Sequence, residues 1–110
     1  MKSHKLIFVD KNLEKSFNNL SDKDPIKKGL IKAMRDIKED FGVGRLITKD
    51  THNKSRIKTI LDKYDSNNIR IYNLPSAWRM LYSITRSEDI KIIAIILDWV
   101  SHKDYEKLLR

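Results

Sequence analysis

The sequence contains no cysteine. Disulfide scaffolds, thiolate zinc sites and cysteine nucleophiles are therefore excluded together, and the redox state of the compartment leaves no mark on the composition. Three glycines and two prolines in 110 residues leave no room for a flexible linker or a low-complexity tract, and no internal repeat is visible. The longest apolar run, Ile92 to Leu97, is far short of the ~20 residues that span a bilayer. The start, Met1-Lys2-Ser3-His4-Lys5, leads into only Leu6 to Val9, which is too brief for the apolar stretch of a secretory signal. There is no P-loop, no HExxH, no nucleotide-binding glycine pattern and no carboxylate cluster at metal-ligand spacing. These absences lead us to expect one soluble, cytoplasmic domain over residues 1–110, without metal or cofactor.

What is present is charge. Lysine and arginine number 23 against 15 acidic residues, a net charge of +8. Hydrophobic residues make up 40% of the chain, enough for a core inside a strongly charged surface. A basic balance of this size suits a polyanion: nucleic acid, an acidic protein or an anionic membrane. The last has no basic amphipathic helix to recommend it.

Leu6-Ile7-Phe8-Val9 reads as a short strand ending at Asp10, a helix N-cap. Leu13, Phe17 and Leu20 follow at helical spacing. Asp24-Pro25 restarts the pattern as a cap followed by proline at the first helical position. Ile26, Leu30, Ala33, Met34, Ile37 and Phe41 then form one stripe, with Gly42 and Gly44 beyond it as expected left-handed C-caps. These two helices form a predicted antiparallel hairpin. Residues 45–68 are polar, and Ile57, Leu61 and Tyr64 suggest a short helix there. From Ile69 the period becomes two. Ile69-Arg70-Ile71-Tyr72 is one strand and Ala77 to Thr85 the next. Ser87-Glu88-Asp89 reads as a hairpin turn, and Ile90 to Trp99 as a central strand apolar on both faces except at Lys91 and Asp98. Ser101 caps a final helix. The expected fold is α+β: a small antiparallel sheet of about four strands, the N-terminal helical hairpin packed on one face, and a short C-terminal helix.

Arg79, inside a strand between Trp78 and Met80, must reach a cleft, an acid or solvent, since an unpaired buried guanidinium is too costly. It is a candidate phosphate ligand; a salt bridge to Asp98 or plain exposure is the alternative. His102, Lys103 and Tyr105 cluster at the start of the last helix. His102 is a candidate general acid or base, although a surface histidine beside a core tyrosine fits as well. Arg70 and Tyr72 alternate with the isoleucines and are expected beside Arg79, as cation and ring for a nucleotide, or else as an ordinary polar face. Lys49, Lys54, Arg56, Lys58 and Lys63 crowd the polar segment, as the wall of a basic groove or a solvated face. His4 and His52 have no convergent partners.

In this order the pieces resemble the RelE/ParE superfamily of toxins from toxin–antitoxin systems. The resemblance covers nearly the whole chain. It rests on Phe8-Val9-Asp10-Lys11-Asn12-Leu13-Glu14-Lys15-Ser16-Phe17, a strand running into the helical hairpin. It rests also on Trp78-Arg79-Met80-Leu81-Tyr82-Ser83-Ile84, similar to the family's aromatic-Arg-aliphatic-aliphatic-Tyr strand, and on Ser101-His102-Lys103-Asp104-Tyr105, like its basic turn before a final tyrosine. Tyr72, where some relatives carry lysine, the close spacing of His102 and Tyr105, and the long polar stretch over 45–68 depart from the simplest members.

The resemblance implies a concave basic sheet face opposite the helices. In the RelE branch such a face cleaves ribosome-bound mRNA without metal, by attack of the substrate's own 2′-hydroxyl on the adjacent phosphate. Carried over, Arg79 would stabilise the phosphate. Arg70 would bind it or activate the hydroxyl, and Tyr105 would orient or stack the substrate. His102 and Lys103 would supply acid, base or charge. Tyr72, Lys49 and Lys54 would help hold the RNA. The implied partners are mRNA, the ribosome and an acidic antitoxin whose docking surface would include exposed apolar residues of the hairpin such as Leu20 or Ile31. Two other outcomes stay open: a ParE-like protein that disables gyrase without nuclease chemistry, and an inactive toxin-fold module that binds RNA or protein.

Overall fold

The computed structural model describes residues 4–47, 60–64, 66–86 and 92–108. Strand β1 (His4–Phe8) leads into helices α1 (Lys11–Asn19) and α2 (Pro25–Glu39). A two-residue strand β2 (Arg45–Leu46) follows, then a helical turn at 60–63, β3 (Arg70–Asn73), a tight turn at Pro75–Ala77, β4 (Arg79–Arg86), β5 (Ile92–Val100) and α3 (His102–Leu108).

The helix starts are written in the sequence. Asp10 accepts the Leu13 N–H at 2.8 Å and Asp24 accepts the Ile26 N–H at 2.9 Å, satisfying donors that a helix leaves free. Ser101 Oγ likewise takes the Asp104 N–H. The expected α+β class and helical hairpin are present. The sheet differs from the expected antiparallel one of about four strands. It has five strands in the order β1-β5-β4-β3-β2, and it is mixed. β1 pairs in parallel with β5, from His4 opposite Ile92 to Phe8 opposite Ile96. The connection from β4 to β5, where Ser87-Glu88-Asp89 was expected to turn, lies outside the described residues.

The C-terminal glycines of α2 are a second correction. Among the described residues no glycine has positive φ. Gly44 is required by a close approach instead: a Cβ there would meet the Tyr82 ring at 2.6 Å. Tyr82 is fully buried, accepts the Gly44 N–H and donates to the Phe41 carbonyl, both at 2.8 Å. This closes the end of α2 onto the sheet.

Both sheet faces are apolar. On one, Met80, Tyr82, Ala94 and Ile96 pack against Leu30, Ala33 and Ile37 of α2, with Trp78 and Phe17 at the margin. On the other, Ile69, Ile71, Leu81, Leu97 and Val100 pack with Ile60 from the helical turn and Tyr105 from α3. β5 serves both faces by an irregularity. The register moves from Leu81 opposite Asp98 to Tyr82 opposite Ile96, so Leu97 is the extra residue of a bulge. The face opposite the helical hairpin is therefore a second hydrophobic core, where the resemblance implied a concave basic surface.

Candidate nucleic-acid interface

Arg79 begins β4 opposite Val100 and is partly buried. It does not pair with Asp98. Its Nη1 donates to the carbonyls of Ala77 at 2.8 Å and Trp78 at 3.3 Å. The guanidinium lies over the Tyr105 ring, 5.4 Å from its centre, a cation–π contact. Two polar atoms there are buried with no hydrogen-bond partner among the described residues: Arg79 Nε and the Tyr105 hydroxyl. Unsatisfied groups of this kind are few in native proteins, and each calls for a reason. The two motif residues, distant in sequence, thus converge through the pairing of β4 with β5 and the turn into α3.

The remaining candidates do not join them. Arg70 and Tyr72 were expected on the Arg79 face. They lie on the opposite one, because Ile71 is level with Leu81 and turns into the second core, while Arg70 and Tyr72 stand opposite Tyr82 and Met80 on the helical side. Arg70 Nη1 donates to the Gly44 carbonyl at 2.8 Å and more weakly to that of Gly42. Tyr72 Oη donates to Asp36 Oδ2 at 2.5 Å and accepts from Lys32 at 3.2 Å. The tyrosine and lysine hydrogen bonds hold the Asp36 carboxyl below its ordinary range. Both residues fasten α2 and its C-terminal loop to β3.

Tyr105 turns inward and is 6% exposed, so its ring has no open face for a base. His102 remains in solvent with Nε2 3.1 Å from Glu106 Oε1. It lines a shallow surface depression with Lys103, Glu106 and Lys107. Lys49, Lys54, Arg56 and Lys58 lie outside the described residues, as does His52. Lys63 is described and sits 5.5 Å from the ring of Tyr64.

One group is more conspicuous in the structure than in the sequence. Asp98 lies on the Arg79 side of the sheet and accepts from the Tyr64 hydroxyl at 3.2 Å and from the Trp99 N–H at 2.9 Å. It lines a cavity of about 330 Å³ with Lys63, Tyr64, Val100, Asp104 and Lys107. Burial pushes its carboxyl above the ordinary range, and burial with the neighbouring Asp98 charge pushes the Tyr64 phenol up as well. The signal in the sequence is Asp98 itself, the one acid inside an otherwise apolar strand. Among the described residues no group of histidines and carboxylates could hold a metal ion, and no helix is long and apolar enough to cross a membrane. No protein-family model, curated protein or solved structure matches the chain.

Proposed function

We propose that the chain is a RelE-like toxin domain of a toxin–antitoxin pair, acting on ribosome-bound mRNA at the surface around Arg79 and neutralised by an acidic antitoxin. The observation that carries this reading is the convergence of Arg79 with Tyr105, each with a buried, unpartnered polar atom. A guanidinium held in this way is a preformed donor fork for a phosphate. Lys103, exposed in the first turn of α3, adds charge, and RNA affinity is chiefly electrostatic.

In the cleavage step the 2′-oxygen attacks the adjacent phosphorus and the bond to the 5′-oxygen breaks, leaving a cyclic phosphate and a 5′-hydroxyl. Arg79 stabilises the charge that builds on the phosphate. The 2′-hydroxyl proton is lost to solvent, and the leaving 5′-oxygen takes a proton from solvent or from His102, which stands in solvent at the start of α3.

A second reading, RNA binding without cleavage, is favoured by one observation. Arg70, expected to activate the 2′-hydroxyl, is bound to backbone carbonyls on the far side of the sheet. Ribosomes programmed with mRNA separate the two. The first reading expects cuts within the A-site codon, mapped by primer extension, and a loss of roughly 10²–10³-fold in rate for Arg79→Ala. RNA binding without cuts establishes the second reading, and absence of both overturns the proposal.

A further inference from the structure

Three unfavourable backbone choices meet at one place. Gly29 stands in the interior of α2, where glycine weakens a helix. Ser76 and Ala77 have φ of 58° and 63°, the left-handed region that residues with a Cβ avoid. The choices are linked by contact. A Cβ on Gly29 would come within 2.5 Å of Pro75 Cδ, so the glycine is the seat on which the proline ring rests. Seated there, the hairpin from β3 to β4 closes with Leu74 N–H to the Trp78 carbonyl at 2.8 Å, and the left-handed pair follows Pro75 directly. The carbonyls of Ala77 and Trp78 are the two that receive Arg79 Nη1. Strained backbone persists only where its surroundings enforce it, and it clusters at functional sites.

We propose that Gly29, Pro75 and the Ser76–Ala77 turn form a positioning device for Arg79. Seating the turn on α2 aims two carbonyls at the guanidinium, which fixes it across Tyr105. The device spans the sheet, from the helical layer to the Arg79 side. The proposal rests on the reading that Arg79 meets phosphate, but the posture of Arg79 is measurable without RNA.

The probe is the Nε–H resonance of Arg79 in the full chain, assigned by its loss in Arg79→Lys. Buried beside the Tyr105 ring, it should exchange slowly with solvent and carry a ring-current shift. In Gly29→Ala the added methyl displaces the proline, and the resonance should move to the position of a solvent-exposed guanidinium. Affinity for a short fluorescent single-stranded RNA should fall roughly tenfold, the worth of one charge-assisted hydrogen bond. Gly29→Ala with Pro75→Ala removes the clashing ring and should restore both readouts. Ala77 is exposed, so Ala77→Pro, which forces a negative φ, gives the same test should Gly29→Ala fail to fold. An unchanged resonance in either folded variant overturns the proposal. A shifted resonance in a protein that binds no RNA upholds the positioning device and removes the reading of the RNA site instead.

Discussion

Gly44 and Tyr82 show how little freedom single residues have in this core. Gly44→Ala puts a methyl into the Tyr82 ring and against the Ile71 carbonyl. Overpacking of this kind costs about 1–3 kcal/mol, and chemical denaturation should show it. Two carboxyls should give stability opposite slopes with pH. Asp98 is raised by burial, so the native state favours its protonated form. That contribution is whole below the unfolded value, 3.8, and declines as pH rises through the folded one. Asp98→Asn should therefore flatten the loss of stability between acid and neutral pH. Asp36 is lowered by its bonds to Tyr72 and Lys32. Its contribution is present above 3.8 and lost as pH falls through the folded value. Asp36→Asn should flatten the acid limb alone. Thermal melts across that range check both.

Among the elements, α2 is the most legible. Its cap, its proline and its stripe all stand in the sequence, and Asp24→Ala should lower stability by about 1 kcal/mol, read as a drop in melting temperature. The alternation in β3 and β4 was equally plain, yet it led to the wrong face for Arg70 and Tyr72. A period of two says which residues share a face; it does not say which face meets the helices. A single core against the helical hairpin would turn the isoleucines of β3 toward it. A second core on the far side of the sheet claims them. That core draws on Ile60 and Tyr105, both remote in sequence, so no local pattern announced it. The turn at Ser76–Ala77 was hidden for a related reason. Neither residue is a usual left-handed one, and its cause lies in Gly29, a helix away.

At the scale of the whole molecule, the net charge is +8, and the described basic side chains are not gathered on a concave sheet face, since the face opposite the helices is apolar. Arg70 and Lys32 serve the join between α2 and β3. Arg79 is the described arginine set between the second core and the rim. RNA binding is accordingly expected to use few phosphate contacts. A plot of log affinity against log salt should have a slope shallower than about −3, close to −0.7 for each phosphate engaged on a single strand. Fluorescence anisotropy at several salt concentrations measures it. On the opposite flank, Leu6, Phe8, Ile31 and Met34 line an apolar groove of about 520 Å³ bordered by Arg35 and Lys38. Ile31, expected as an exposed apolar residue of the hairpin, is 46% exposed there.

The parallel pairing of β1 with β5 has a consequence for the order in which the molecule can assemble. α1, α2 and the β3–β4 hairpin make contacts between near neighbours in sequence. β1 must wait for a strand synthesised almost a full chain length later. Closing so long a loop is the slow step of a fold. Until β5 arrives, the emerging chain holds an unpaired apolar strand, Leu6 to Phe8, beside the helices that cover it. A nascent chain in that state has no finished sheet, and Arg79 has no α3 beneath it. The surroundings of Arg79 therefore cannot form before β5 and α3 have been made.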